Sequence, residues 1–216
     1  MAAVLADRWD LSTRIRESGV SLFEVQPGRP VELTGPVGFG LTRLGYRMLA
    51  EPSQGAPVVV LDVRGWASPL AAHEAGVDLD RLVVVRCPDP SLWPRVVASV
   101  LEGVKAIYAE VPVGVNDHDL RRLAALARAR QARLVLRPVR GMLPAGIGHL
   151  RLKAKEIRWE GAVQGHGRLE SRRLVLEATG KGAQGITRLI EVEDDGADRV
   201  RVVSGLAAGP AGRAVG

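Results

Sequence analysis

The sequence predicts an α/β fold in which a mostly parallel sheet is flanked by helices and ends in an antiparallel C-terminal extension. Short apolar runs alternate with helix-like segments from Val31 to Pro138, which is typical of parallel strands joined by crossover helices. The run Val58–Asp62 is continuously apolar before its terminal acid, as expected for a strand that is buried on both faces. Beyond Pro138, strand-like runs follow one another with glycine-rich turns and no helix between them.

The elements of the parallel part can be predicted in order from apolar periodicity and from breaker residues. A loosely amphipathic helix is predicted over 3–17, and Asn116 with Asp119 forms a capping box for the last helix. The predicted strands are Val31–Thr34, Val58–Asp62, Leu82–Cys87, Val104–Val111 and Arg133–Pro138. The predicted helices that follow them are Leu41–Ala50, Pro69–Ala75, Ser91–Glu102 and 117–131.

The C-terminal extension is predicted to contain the strands Leu150–Trp159, Arg172–Thr179 and Thr187–Val192. The 216-residue length fits one domain, and the hydrophobic share of 46% fits a packed core. We therefore expect an N-terminal helical stub at 1–18, one domain at 19–205 and a disordered tail at 206–216.

Composition excludes several kinds of site. The single cysteine, Cys87, rules out an internal disulfide and a cysteine-based zinc site, and the four histidines lack metal-ligand spacing, so we expect no bound metal. No apolar run approaches the roughly 18 residues of a membrane span, and the first ten residues do not form a signal peptide. We expect a cytoplasmic protein, with nucleoid association as an option and no membrane partner.

A glycine-rich turn separates the first strand from its helix. It reads Gly35-Pro36-Val37-Gly38-Phe39-Gly40-Leu41-Thr42, which matches the phosphate-loop pattern except that leucine replaces the lysine. An ammonium near a phosphate is worth roughly 4 kcal/mol, so its loss costs on the order of a thousandfold in affinity. The turn is thus either a vestigial phosphate loop (Gly35, Gly38, Gly40, Leu41 and Thr42) or an ordinary strand–helix turn, and it argues against an ordinary ATPase.

The positive charge of the chain is concentrated in one block. Residues 121–173 carry 14 basic and 3 acidic side chains, whereas the net charge of the whole chain is only +6. Alternation along one strand predicts that Arg151, Lys153 and Lys155 share a face, with Arg158 further along. Such a strip could bind DNA phosphates, meet an acidic protein partner, or simply be a solvated strand face.

Taken together, these features resemble the RecA-type recombinase core over most of the chain. The similar stretches are Gly28–Pro36 leading into the loop, Val60-Leu61-Asp62 as the second strand, Gly76–Leu82, and the hairpin-like runs 150–155 and 172–179. The resemblance implies a RecA-like fold. It also places Arg137 and Arg140 at the start of a DNA-contacting loop, so the candidate nucleic-acid or partner-binding residues are Arg137, Arg140, Arg151, Lys153, Lys155 and Arg158.

The departures from the RecA pattern all affect nucleotide chemistry. Arg64 stands where the resemblance expects the glutamate that activates water, and Glu110 stands where it expects a magnesium-binding aspartate. Arg137-Pro138 occupies about the position of the glutamine that senses the γ-phosphate. Phosphoryl transfer depends on the water-activating base, the magnesium ligand and the γ-phosphate sensor that these positions would supply. The resemblance therefore implies a pseudo-NTPase with no catalytic residues and no cofactor, in which Phe39 and Leu41 either fill the vacated site or form a partner-binding spot.

The chain resembles the ImuA family of truncated, catalytically silent RecA-like proteins, which is related to SulA-type proteins. The resemblance implies an accessory role in SOS-type DNA damage response and mutagenic translesion synthesis. The implied partners are a Y-family polymerase homologue (ImuB-like), RecA itself, or both, with DNA as a further option. Two alternatives stay open: a weak NTPase with a non-standard phosphate loop, and a SulA-like inhibitor of cell division.

Overall fold

The computed structural model describes residues 24–161, 171–194 and 200–207. The strands of the parallel part are β1 (Val31–Thr34), β2 (Val58–Asp62), β3 (Leu82–Arg86), β4 (Ala106–Val111), β5 (Arg133–Pro138) and β6 (Leu150–Glu160). The helices are α1 (Leu41–Ser53), α2 (Pro69–Glu74), α3 (Trp93–Gly103) and α4 (Asp117–Ala129). The C-terminal strands are β7 (Ser171–Thr179), β8 (Arg188–Asp194) and β9 (Val200–Ala207).

All nine described strands belong to one sheet, in the order β3-β2-β4-β5-β1-β6-β7-β8-β9. Strands β1 to β6 pair in parallel, whereas β7, β8 and β9 are added as an antiparallel meander. The predicted α/β fold with an antiparallel C-terminal extension is therefore confirmed. Because parallel strands end at the same edge of a sheet, the loops that follow β1 to β5 share one edge.

Alternation along the strands divides the core into two clusters on opposite faces of the sheet. Val58 and Val60 of β2 pack with α1 and α2, whereas Val59 and Leu61 pack with α3 and α4. Packing is close under α1, where a methyl group added at Gly45 would collide with the ring of Tyr108. The apolar strands therefore bury both faces of the sheet, with one core cluster on each face.

Helix α1 and strand β9 differ most from the prediction. Helix α1 continues through Pro52 to Ser53, whose hydroxyl accepts a hydrogen bond from the Asp78 amide at 2.9 Å. Strand β9 was not expected, and it reaches Ala207, two residues into the predicted tail, because pairing with β8 extends the meander. The predicted helix at 3–17 and the tail beyond 207 lie outside the described residues.

Within the described part of the chain, no helix has the length and apolar character required to cross a bilayer.

Candidate functional site

The glycine-rich turn lies between β1 and α1, as the sequence predicts. Leu41 is the first residue of α1 and is only 1% exposed, because its side chain packs into the core cluster on the α1 face of the sheet. Gly40 precedes the helix with φ 72°, a conformation that favours glycine, and no side chain caps the helix there. The leucine that replaces the phosphate-binding lysine is therefore a core residue.

The hydroxyl of Thr42 is used inside the protein. Arg137, at the carboxyl end of β5, is 6% exposed and donates a hydrogen bond from Nη1 to Thr42 Oγ1. Tyr108 lies beneath them, and burial raises the pKa of its hydroxyl, an effect that nearby Arg137 and Thr42 partly oppose. The Tyr108 hydroxyl is buried and has no hydrogen-bond partner of normal geometry among the described residues.

The carboxylate of Glu110 is fully engaged at the end of β4. Its Oε2 atom accepts hydrogen bonds from the backbone amides of Val63 and Arg64, each at 3.1 Å. Its Oε1 atom accepts from the Arg64 side chain, at 2.9 Å from Nε and also from Nη2. Burial lowers the pKa of Arg64, but the hydrogen bond and the charge of Glu110 outweigh it and raise the pKa. Arg64 therefore neutralises the acid that the RecA resemblance associates with magnesium.

Asp62, the acid that ends β2, closes the loop that follows it. Its Oδ1 atom accepts from the amides of Gly65 at 2.7 Å and Trp66 at 3.0 Å, and its Oδ2 atom accepts from the Ala67 amide at 3.2 Å. The Arg64 guanidinium lies over the Trp66 ring, 4.4 Å from its centroid. Among the described residues, no group of three or more His, Cys, Asp or Glu side chains is arranged to hold a metal ion.

Arg151, which the sequence places on a basic strip, forms an internal ion pair. Its Nε atom lies 2.6 Å from Oε2 of Glu32, a β1 residue with no solvent exposure. The other oxygen of Glu32 accepts from the Leu143 amide at 2.9 Å, and Arg151 Nη2 reaches the Leu143 carbonyl at 2.5 Å. Arg151 therefore anchors the loop after β5 against the sheet.

The predicted alternation along β6 is interrupted. A β-bulge between Ala154 and Glu156 shifts the register with β7 by one residue, so Glu156, not Lys155, lies opposite Val175. Lys155 pairs with Glu177 at 3.3 Å, and Arg158 pairs with Glu156 at 2.7 Å. The strip is thus not one uniform basic face.

Arg140 and Lys153 complete the set of predicted binding residues. Arg140 is exposed and Lys153 is half-buried. Neither forms an ion pair with another side chain in 24–159 or 171–193, where side chains are described. Of the six predicted residues, these two are the ones without an ion pair or side-chain hydrogen bond to another described residue.

One cation near the loop was missed by sequence reasoning. Arg172 of β7 lies against Gly40, so that a methyl group added at Gly40 would overlap its guanidinium. The same guanidinium carbon is 5.8 Å from the ring centroid of Trp159 on β6. The antiparallel pairing of β6 with β7 brings these residues together, and no local sequence signal indicates it.

Large apolar side chains are exposed along the edge where the parallel strands end. We call them the apolar rim, and each lies in a loop or first helical turn that follows one of β1 to β5. Its members are Val37, Trp66, Leu70, Leu92, Val113 and Met142, with exposures between 49% and 66%. A contiguous exposed apolar patch is typical of a protein-binding surface.

Comparison with solved structures identifies the fold as RecA-like. The chain is similar to the crystal structure of the RadB recombinase, with a TM-score of 0.55, and the match covers 80% of this chain and 90% of that chain. The sequence identity is 15%, so the likeness establishes the fold and nothing further.

The chain belongs to the family described as the MT3502 N-terminal domain, which matches residues 24–141. This region contains the parallel strands β1 to β5, the glycine-rich turn and the apolar rim except Met142. No curated protein matches the sequence.

Proposed function

We propose that this protein is a RecA-like accessory protein that does not hydrolyse nucleotides and that acts in SOS-type DNA damage response and translesion synthesis. The observation that carries the proposal is the Arg64–Glu110 pair, because it removes an acid needed for metal-assisted phosphoryl transfer. The RecA-like fold and the resemblance to the ImuA family supply the biological setting. The proposed role is that of an adaptor that works through protein contacts.

The energetics favour loss of nucleotide binding. Magnesium could reach Glu110 only if the carboxylate released Arg64, and breaking a buried ion pair typically costs about 3–5 kcal/mol. A cost of that size lowers affinity by at least about a hundredfold. The missing lysine at Leu41 lowers phosphate affinity further, and Thr42 is already bonded to Arg137. These effects act on one site, and all of them oppose nucleotide binding.

Titration with a fluorescent ATP analogue tests the absence of nucleotide binding. We expect no magnesium-dependent binding at micromolar concentrations, whereas a RecA protein measured in parallel should bind. Saturable, magnesium-dependent binding that is lost on adding EDTA would instead favour the weak-NTPase alternative.

The apolar rim is the surface that we assign to the protein partner, an ImuB-like polymerase homologue, RecA, or both. Co-purification with each of these two proteins tests the assignment. The substitution Val113→Glu should reduce recovery of the partner, because it places a charge in an apolar contact. Ile186→Glu is the matched control, since Ile186 is 54% exposed but lies between β7 and β8, away from the rim. Equal recovery with both variants would contradict the assignment.

DNA contact is a further component of the proposal, and Arg140 and Lys153 are the residues that support it. A gel shift with single- and double-stranded oligonucleotides at several salt concentrations tests it, since phosphate contacts give salt-sensitive binding. We expect the double variant Arg140→Glu and Lys153→Glu to abolish the shift. An unchanged shift would place any DNA contact elsewhere.

Genetic tests separate the accessory role from the SulA-like alternative. Deletion of the gene should lower the frequency of damage-induced mutation if the protein serves translesion synthesis. Overexpression should produce filamentous cells if it inhibits division. Normal mutation frequency together with filamentation would replace the proposed role with the alternative.

A further inference from the structure

Strand β3 forms an exposed, apolar edge of the sheet. Among the described strands it pairs with β2 alone, and its residues Leu82 to Val85 carry no charge. Val83 is 49% exposed on one face of the sheet and Val84 is 41% exposed on the other, so neither face is covered at this edge by the described residues. Unprotected edges of this kind pair readily with another strand.

The direction of the free backbone groups can be derived from the pairing with β2. The Cys87 amide donates to the Asp62 carbonyl at 3.1 Å, so the odd-numbered residues of this segment direct their backbone groups toward β2. The even-numbered residues Leu82, Val84 and Arg86 therefore direct theirs outward. The Leu82 amide is used by the preceding turn, where it donates to the Leu79 carbonyl, but its carbonyl faces the edge.

We propose that β3 pairs antiparallel with β3 of a second copy of this chain, about a two-fold axis at Val84. The amide and carbonyl of each Val84 then bond to those of the other Val84. The amide of each Arg86 donates to the Leu82 carbonyl opposite. This register uses every outward donor of β3 that is not already bonded within the chain.

The side chains are complementary in the same register. Val84 meets Val84 of the other copy on one face of the sheet, and Val83 meets Val85 on the opposite face. Paired β-branched residues of this kind stabilise neighbouring strands. The extended sheet would cover valines on both of its faces, which are half-exposed in the single chain.

Charge at the two ends of β3 also favours a second copy. Arg86, at the carboxyl end, has a side chain that is 68% exposed, and among the described residues it forms an ion pair with Asp62 at 3.8 Å. Asp80 lies exposed at the amino end, two residues before the strand. Antiparallel pairing about Val84 places each Arg86 opposite Leu82 of the other copy, two residues from Asp80, so the opposite charges attract each other.

A strand pair of this length forms a small interface. Stable interfaces usually bury about 1,200–2,000 Å² in total, and this one buries less, so we expect a weak dimer at high protein concentration. This inference is independent of the proposed function, because β3 lies apart from the glycine-rich turn, with β2, β4 and β5 between it and β1.

Sedimentation equilibrium of the full chain over a wide concentration range tests the proposal. We expect the wild-type protein to dimerise reversibly, and Val84→Lys to raise the dissociation constant at least about tenfold because it places two ammonium groups opposite each other. The control Ile186→Lys should dimerise like the wild type. A wild-type protein that stays monomeric, or a dimer unaffected by Val84→Lys, would overturn the proposal.

Two further variants test the register. Arg86→Asp alone should weaken the dimer, and adding Asp80→Arg should restore it by reversing both charges. The substitution Val84→Cys should give a covalent dimer on mild oxidation, whereas the wild-type protein, whose Cys87 is buried, should not. Failure of both the charge reversal and the cross-link would rule out this register.

Discussion

The Nε atom of Arg64 lies 2.9 Å from Oε1 of Glu110, and the pair joins the carboxyl ends of the neighbouring strands β2 and β4. The side chains are 12% and 4% exposed, so water screens them little. An arginine that follows β2 thus binds the acid that ends β4, in the part of the fold where a RecA-type enzyme would carry out nucleotide chemistry. This ion pair, the internal pair of Arg151 and the buried positions of Leu41 and Tyr46 lead to four testable predictions.

Removing Arg64 should destabilise the protein. We expect Arg64→Ala to lower the free energy of unfolding by about 3 kcal/mol, because Glu110 would remain buried with only two backbone amides as partners. Urea denaturation at neutral pH measures the change. Arg130→Ala is the control, since its pair with Glu102 is about half exposed and should contribute less than about 1 kcal/mol. Equal effects of the two substitutions would contradict a structural role for the pair.

Replacing Arg151 should lower the free energy of unfolding, because its main role is an internal ion pair with Glu32. We expect Arg151→Ala to cost about 3–5 kcal/mol, because Glu32 is fully buried and would lose its cation. Adding Glu32→Gln should restore part of the loss by removing the negative charge. Lys155→Ala, which affects an exposed pair with Glu177, should cost less than about 1 kcal/mol. If Arg151→Ala left the urea midpoint unchanged, the internal pair would not be stabilising.

Restoring the phosphate-loop lysine should not restore nucleotide binding. Leu41→Lys places an ammonium in a core position with 1% exposure, and we expect it to cost about 2–5 kcal/mol of stability. Binding of an ATP analogue should stay undetectable, since Arg64 still holds Glu110 and Arg137 still holds Thr42. A stable Leu41→Lys variant that binds ATP with magnesium would show that the lysine alone had been missing.

The free energy of unfolding should fall at alkaline pH because two tyrosines, Tyr46 of α1 and Tyr108 of β4, are buried as neutral hydroxyls. Burial raises the pKa of Tyr46 to about 12, and its ring lies 5.6 Å from that of Tyr108, whose pKa is also raised by burial. The unfolded chain loses these protons from about pH 10, before the folded protein does. The stabilisation is complete below pH 10 and is lost as pH rises toward about 12.

Urea denaturation between pH 8 and about pH 11 measures this alkaline loss. Tyr46 should contribute about 1–1.5 kcal/mol to the decline by pH 11, where about half of its stabilisation has been lost. The variant Tyr46→Phe removes the ionisable hydroxyl and should show a shallower decline. The same slope in both proteins would contradict this origin of the pH dependence.

The sequence predicted most elements of the sheet because their signals are local. The continuous apolar run of β2 and the Asn116 cap of α4 require only neighbouring residues to be recognised. Strand β9 was missed because its place depends on pairing with β8, and the bulge that interrupts the alternation along β6 was not predicted. Whether a bulge forms depends on pairing with the partner strand, and the local sequence pattern carries no information about that strand.

By itself, the sequence determined that this chain forms an α/β fold with a glycine-rich turn after the first strand and without the phosphate-binding lysine. The tertiary structure alone decided which partners three of the arginines have. Arg64 forms an ion pair with Glu110, and Arg151 forms one with Glu32. Arg137 donates a hydrogen bond to Thr42. The physical reason is that periodicity and turn chemistry act over a few residues. A buried charge, in contrast, needs a partner that only the packing of distant strands can supply.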